Sequence, residues 1–394
     1  MRRVGVILDD FDPFRFDHLN LANAAKEAHG LEKLIFVPLP LPEKKEKSQN
    51  HARIDQRYRM CMIGLMGQNS MEMIPYGLVY QAESALSLIR KIRRAYTDAK
   101  CFFILSAQAL LRLASQPQFK GVRDSAFICW RTPDFKADDI LSALMREGLD
   151  ISVADVPGGL MADRDCRRQI AALVDPDWMD RREIAYIASE GAYLPDGKKQ
   201  LKKMLTTHRW EHSLGVQQVS IRLALTYGGN ILKVSQAALY HDCAKCMTVK
   251  EMRRIAEAHH LTASAEVLHS GALLHGPVGA VIAKEQFSVT DAEVLDAIRF
   301  HTTGRENMTL TDLIVFVADA IEPNREDYDG LERIRALSRV SLRDAALCSL
   351  YTTKKFVSSR GREYDEQGLK TIAWLEGTLN EQEKEWMKDI AKPI

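Results

Sequence analysis

The sequence predicts two domains, an N-terminal parallel α/β domain over residues 1–190 and a C-terminal all-α domain over residues 200–394. Three observations predict this division. Short β-rich runs alternate with amphipathic segments through the first half, and helical periodicity replaces them from about Arg182. Eight of the 11 histidines then fall between His208 and His301, which places the chemistry in the second half.

The β-rich runs come in order as VGVIL from Val4, LIFVPLP from Leu34, CFFILSA from Cys101, SAFICW from Ser125 and ISVADV from Ile151. Between the first two lies HLNLANAAKEA from His18, with the apolar spacing of a helix packed on a sheet. Strands alternating with helices specify a parallel sheet, because each crossover must return the chain to the same end. The segment YLPDGKKQLKKM from Tyr193 combines Pro, Asp-Gly and a lysine cluster, as an exposed connection does. Neither an internal repeat nor a low-complexity tract is evident.

A length of 394 residues suits two or three domains, and 46% hydrophobic with 27% charged residues is ordinary for soluble globular protein. The formal net charge of +1 gives no reason to expect nucleic acid as a partner, and no apolar stretch reaches membrane-spanning length. Seven scattered cysteines argue against a disulfide framework and for a cytoplasmic setting. The single close pair, Cys243 and Cys246, has no second pair nearby and reads as packing. The sequence is equally compatible with a monomer and a homo-oligomer.

In the helical half, Val216, Val219 and Leu223 continue backward at helical spacing to His212, so His212 faces the core. His241 and Asp242 end the helix of VSQAALYHDCAK, and Val294, Ile298 and His301 share one face at i, i+4 and i+7. His275 opens HGPVGAVIAKE, just before a proline suited to the first turn of a helix. Asp319 lies in LTDLIVFVADAIEP, apolar nearly all round, where an unpaired carboxylate is costly and a metal ion would resolve the conflict. One core histidine is usually a packing residue. Six inward-facing groups, His212, His241, Asp242, His275, His301 and Asp319, instead form a mixed imidazole and carboxylate shell. It has enough ligands for two metals if Asp242 bridges, and it suits iron, manganese or zinc better than magnesium or calcium.

The motifs RWEHSLGV (209–216), ALYHDCAK (238–245), LLHGPVGA (273–280), AIRFHTTGR (297–305) and VADAIEPNR (317–325) give this half its resemblance. In order and spacing it resembles the HD-domain phosphohydrolases, and within them the YqeK-type symmetrical diadenosine tetraphosphate hydrolases. The resemblance implies an HD-domain helical bundle in which the six residues hold a di-iron centre, with manganese or zinc as alternatives. It also implies a dinucleoside polyphosphate substrate, diadenosine tetraphosphate cleaved to two ADP. Asp242 and Lys245 are the expected catalytic residues, Lys245 reaching a phosphate oxygen or protonating the leaving group. Thr302, Thr303, Arg305 and Arg325 are the expected substrate-binding residues, the arginines through their bidentate forks.

Over roughly residues 1–190 the chain resembles the nicotinate-nucleotide adenylyltransferases. The carrying residues are Phe11-Asp12-Pro13, His18-Leu19, LIFVPLPLPEKK, CFFILSAQALLRL and DRDCRRQIAALVDP. The resemblance implies a Rossmann-like, nucleotidyltransferase-like sheet. The family's Gly-rich turn is replaced by Leu8-Asp9-Asp10, its His-x-Gly-His by Arg15-Phe16-Asp17-His18, and its phosphate-binding Ser-Ser-Thr by Ala162-Asp163-Arg164. Asp9, Asp10, Asp12 and Asp17 around that turn would repel a triphosphate. The expectation is a degenerate transferase domain, with Arg15 and His18 the relics of its site.

Two other readings stand beside the hydrolase. One is a bifunctional enzyme that also keeps adenylyl transfer, which the lost Gly and His residues disfavour. The other is a non-catalytic nucleotide sensor, which the complete ligand set and Lys245 disfavour.

Overall fold

The computed structural model describes residues 2–41, 51–130, 138–154, 160–262 and 264–379. Two compact units divide the chain, one comprising Met1–Ala172, Pro176–Ile187 and Ala192–Leu194, the other Leu173–Asp175, Ala188–Gly191 and Pro195–Ile394. The division therefore runs through residues 173–195 rather than at one position. Side-chain hydrogen bonds accompany the short exchanges. The Asn230 amide donates to Leu173 O at 2.9 Å and the Ser235 hydroxyl to Ala188 O at 3.2 Å, holding those segments to the second unit. The Tyr193 hydroxyl donates to Asp12 Oδ1 at 2.6 Å within the first.

The first unit is built on a six-stranded sheet of order β3-β2-β1-β4-β5-β6, all of its pairings parallel. The strands are β1 (Arg2–Asp9), β2 (Lys33–Pro38), β3 (Met71–Met73), β4 (Ala99–Ser106), β5 (Ala126–Trp130) and β6 (Asp150–Ala154). Val4, Val6, Ile7 and Leu8 of β1 are all buried, the continuous apolar run of a strand covered on both faces. Strand order reverses between β1 and β4, so a crevice opens past their carboxyl ends, where such sheets bind ligands. Helix α1 (Phe16–His29) follows β1, and α2 (Ile54–Gly64) follows β2. Helix α3 (Asp163–Ala171) starts near the same crevice residues, as its bonds below show. The parallel α/β expectation holds. β3 is an added strand, and the ends of LIFVPLPLPEKK and ISVADV lie outside the described residues.

Among its described residues the second unit has helices and no strand, and five of the helices carry its site. Helix α4 (Thr207–Tyr227) is capped by the Thr206 hydroxyl and ends at Gly228, whose φ of 76° is the left-handed conformation that favours glycine. Helix α5 (Ile231–Tyr240) starts on the Asn230 cap and delivers His241 and Asp242 just past its end. Helix α6 is Gly271–Gln286, α7 is Ala292–Phe300 with an Asp291 cap, and α8 is Leu310–Ile321 with a Thr309 and Asp312 capping box. His301 immediately follows α7.

Pro277 is not in the first turn of its helix, as the sequence suggested. Helix α6 begins at Gly271 and includes the fully buried Leu274, so Pro277 lies inside it. Burial of that earlier turn outweighs the lost backbone hydrogen bond. Gly276 brings α6 against α7: a Cβ there would meet Arg299 O at 2.7 Å, so a larger residue would separate His275 from His301.

Candidate metal centre

All six residues singled out from the sequence converge in the second unit. Each histidine turns Nδ1 away from the centre and Nε2 into it. His241 Nδ1 lies 2.7 Å from Ala238 O, His301 Nδ1 2.7 Å from Ile298 O, His275 Nδ1 3.2 Å from Gly271 O, and His212 Nδ1 3.1 Å from Glu322 Oε1. A carbonyl or carboxylate only accepts, so a proton on each Nδ1 satisfies that oxygen and leaves Nε2 as the atom available to a metal.

The Nε2 atoms form two nests on either side of Asp242. In one, Asp319 Oδ1 is 3.0 Å from His212 Nε2 and 3.7 Å from His241 Nε2, with Asp242 Oδ2 at 3.8 and 3.7 Å from the same two nitrogens. In the other, Asp242 Oδ1 lies 3.1 Å from His275 Nε2 and 3.7 Å from His301 Nε2. His212 and His241 approach at 3.3 Å between Nε2 atoms, His275 and His301 at 3.0 Å. Two lone pairs this close repel unless a cation lies between or beside them. Asp242 Oδ1 is buried without a hydrogen-bond partner among the described residues, as an atom reserved for a metal is. His212, His241 and Asp319, and likewise His241, Asp242 and His301, place one ligand atom each within 4.8 Å of one another. The donor set fits a divalent transition metal.

Electrostatics keeps His241 and His275 neutral and the two carboxyls ionised, the states in which they bind a metal. Burial, aided by the neighbouring imidazoles, lowers His241 to about 4, and burial with His301 and Lys245 lowers His275 to about 4. Both rings are therefore neutral at pH 7. Burial opposes the charged form of His212, but Asp319 and Glu322 outweigh it and raise its pKa. Burial also opposes ionisation of the two carboxyls. His241, His275, His301 and Lys245 nevertheless hold Asp242 well below the usual range, as Arg325, His212 and His241 do for Asp319.

Cations surround the nests. Lys245 Nζ is 3.0 Å from His275 Nε2 and 3.7 Å from Asp242 Oδ1, its pKa lowered by burial and by Arg209 and Arg325. Arg325 pairs with Asp319 Oδ1 at 2.7 Å. Arg209, unassigned from the sequence, reaches Asp242 Oδ2 at 3.0 Å. It precedes His212 by three positions on one helix face, the signal that could have found it. Glu322, also unassigned, follows Asp319 by three.

The remaining expected substrate-binding residues lie differently. Arg305 pairs with Asp312 at 2.7 Å and Asp296 at 3.2 Å, and among the described residues none of its bonds reaches the six converging residues. The Thr303 hydroxyl donates to Gly304 O at 3.0 Å, while Thr302 Oγ1 is buried without a partner among the described residues. Cys243 is buried and donates to Gly279 O, whereas Cys246 is exposed, in keeping with packing for that pair.

In the first unit the charged residues around the crevice bond one another. Arg15, 2% exposed, bonds Asp17, Asp163 and Met161 O. His18 Nε2 is 3.2 Å from Asp9. Asp12, 1% exposed, accepts from His51, Ala52 N, Tyr193 and Arg167. The expected repulsion from four aspartates is thus narrowed, because Asp9, Asp12 and Asp17 each have an internal partner. Asp163 and Asp165 occupy the first turn of α3, so carboxylates of the chain itself take up the helix dipole that would otherwise attract a phosphate.

Comparison with known proteins separates the same two halves. The HD domain family matches residues 209–324. A protein of Halalkalibacterium halodurans named "Bis(5'-nucleosyl)-tetraphosphatase, symmetrical" is 40% identical over 175 residues, 44% of this chain and 92% of that protein. A "Probable nicotinate-nucleotide adenylyltransferase/Ap4A hydrolase" of Mycoplasma genitalium is 24% identical over 356 residues, 88% of this chain and 96% of its own. A "Probable nicotinate-nucleotide adenylyltransferase" of Lachnoclostridium phytofermentans is 32% identical over 146 residues, 35% of this chain and 70% of its own. Among the described residues, no helix is long and apolar enough to cross a membrane.

Proposed function

Because the chain belongs both to the symmetrical bis(5'-nucleosyl)-tetraphosphatases and to the nicotinate-nucleotide adenylyltransferases, we propose that it is a metal-dependent hydrolase of diadenosine tetraphosphate. The products are two ADP. One observation carries the reading: a buried aspartate whose two oxygens face two separate histidine nests, Oδ2 toward His212 and His241 and Oδ1 toward His275 and His301.

His212, His241, Asp319 and Asp242 would hold one ion, and His275, His301 and Asp242 a second. We assign iron, with manganese or zinc as alternatives. When bound, such ions supply Lewis acidity toward a phosphoryl oxygen and lower the pKa of water. The chain's own residues do the rest. Arg325 and Arg209, now paired with Asp319 and Asp242, have further N–H donors for the polyphosphate, and Arg suits phosphate through its fork. Water adds to one central phosphorus, the bridging P–O bond breaks, and the departing ADP takes a proton. Lys245 Nζ beside Asp242 and His275 is placed to give it. A scattered, odd number of cysteines supports a cytoplasmic setting.

Lys245→Ala should lower kcat by about 10²-fold or more, the range for loss of a general acid. Metal content should stay at the wild-type level, as checked by elemental analysis. Loss of metal together with activity would instead make Lys245 a structural partner of His275.

The direct test couples elemental analysis of the purified chain to chromatography of products from diadenosine tetraphosphate. About two iron or manganese ions per chain with ADP as the sole product is the expected result. ATP with AMP would overturn the symmetrical cleavage, and metal without turnover would overturn the substrate.

For the first unit we propose a transferase fold without transferase activity. The support is the closed set of bonds around Arg15 and Asp12, which already occupies the crevice. The chain should release no pyrophosphate from ATP and nicotinate mononucleotide under conditions where it turns over diadenosine tetraphosphate. Stoichiometric release would revive the bifunctional reading.

A further inference from the structure

We propose that Glu322 is a positioning residue that orients His212 toward the metal, and that Gly215 provides the space it needs. The proposal rests on the metal-centre reading above and adds to it a group outside the ligand set.

His212 differs from the other three histidines in its place on a helix. His241 and His301 follow the ends of α5 and α7, where the carbonyls of the last turn have no backbone donor. Their Nδ1–H groups find Ala238 O and Ile298 O one turn back. His275 lies in the second turn of α6 and uses Gly271 O. His212 is the sixth residue of the 21-residue α4, and its Nδ1 turns away from that helix. Its acceptor comes from another element.

Glu322 is that acceptor. It is 1% exposed and uses both oxygens, Oε1 at 3.1 Å from His212 Nδ1 and Oε2 accepting from Asn324 N at 2.8 Å. The Arg335 guanidinium donates to its backbone carbonyl at 3.3 Å. Helix α8 thus supplies the ligand Asp319 and, just past its end, the carboxylate that orients His212. A ligand histidine held by a carboxylate through its other nitrogen has its tautomer and ring plane set, and binds metal more tightly.

Gly215 shows that this contact shapes the helix. It lies inside α4 without the positive φ that would demand glycine, and glycine there is less favourable than alanine. A Cβ at 215 would lie within van der Waals overlap of the Glu322 carboxylate, 3.3 Å from its Cδ and closer still to Oε2. The small residue is kept for clearance.

The test uses the full chain, stripped of metal and titrated with Mn²⁺ alone by calorimetry. The variants are Glu322→Gln, Glu322→Ala and Gly215→Ala. Circular dichroism and melting of the metal-free proteins establish that each is folded. Mn²⁺ affinity should fall about 10- to 100-fold in Glu322→Ala and Gly215→Ala. Glu322→Gln should fall between these and wild type, because an amide oxygen still accepts from His212 while its NH₂ loses the Asn324 bond. Wild-type affinity in a folded Glu322→Ala or Gly215→Ala chain, with only the melting temperature lowered, would overturn the proposal and leave Glu322 a structural group. If Glu322→Ala does not fold, the other two variants decide by the same criterion. Failure of the wild-type chain to bind Mn²⁺ would overturn the metal reading along with it.

Discussion

His241→Ala should reduce kcat/KM for diadenosine tetraphosphate by about 10³-fold or more. The residue is fully buried between the two nests, with its Nε2 3.3 Å from His212 Nε2 and 3.7 Å from both Asp319 Oδ1 and Asp242 Oδ2. Its ring also meets the His301 ring edge-on, with centroids 4.9 Å apart. On the proposed assignment alanine removes a ligand and takes a neutral imidazole from beside Asp242 and Asp319. A metal's contribution of several kcal/mol to the transition state corresponds to at least this rate loss. Metal content should fall in parallel, which separates loss of the centre from loss of one proton donor. The same variant tests the non-catalytic sensor. A non-catalytic sensor would keep nucleotide binding and signalling largely intact in His241→Ala, whereas the hydrolase would lose its turnover. Hydrolysis within tenfold of wild type in a folded His241→Ala chain would refute the ligand assignment.

The site was legible where helical periodicity alone decides which way a residue faces. His212 and His301 share faces with Val216 and Ile298, and all four are buried. Asp319 stood out because the α8 sequence around it is apolar. The strands of the first unit were legible for a related reason: β1, β4 and β5 are covered on both faces and read as unbroken apolar runs. β3 was not, since three residues centred on Glu72 carry too little pattern. Arg209 and Glu322 escaped because their roles depend on which helices meet, which periodicity does not encode. The partners of Asp12 are still less accessible, lying 39, 155 and 181 residues away at His51, Arg167 and Tyr193. Arg305 shows the converse. It adjoins a ligand motif in sequence, yet its bonds go to Asp312 and Asp296.

The transferase-like unit should carry a measurable pH penalty at Asp10. Burial and the nearby Asp9, with Asp163 and Asp12 adding to both against Arg57, raise this carboxyl to about 7. No hydrogen bond or ion pair from a side chain to its carboxylate is present among the described residues. The unfolded chain releases the same proton near pH 4. Between these values the folded unit binds more protons than the unfolded chain, so its stability falls as pH rises from about 4 to about 7 and stays low above that. A shift of this size corresponds to at most about 4 kcal/mol, less where solvent reaches the carboxylate. Asp10→Asn keeps the shape and removes the charge. By calorimetry its first-unit transition should coincide with wild type near pH 4 and lie several degrees higher at pH 8. Equal melting temperatures across that range would show that Asp10 titrates normally. Glycine at such a turn would leave backbone N–H groups open to phosphate. An ionised Asp10 instead adds negative charge at the crevice that Arg57 only partly offsets, a cost that a chain still binding triphosphate there would have to overcome at every turnover. Asp10→Asn should therefore stabilise the unit at pH 8 without restoring adenylyl transfer, because Arg15 and Asp163 still bond each other there.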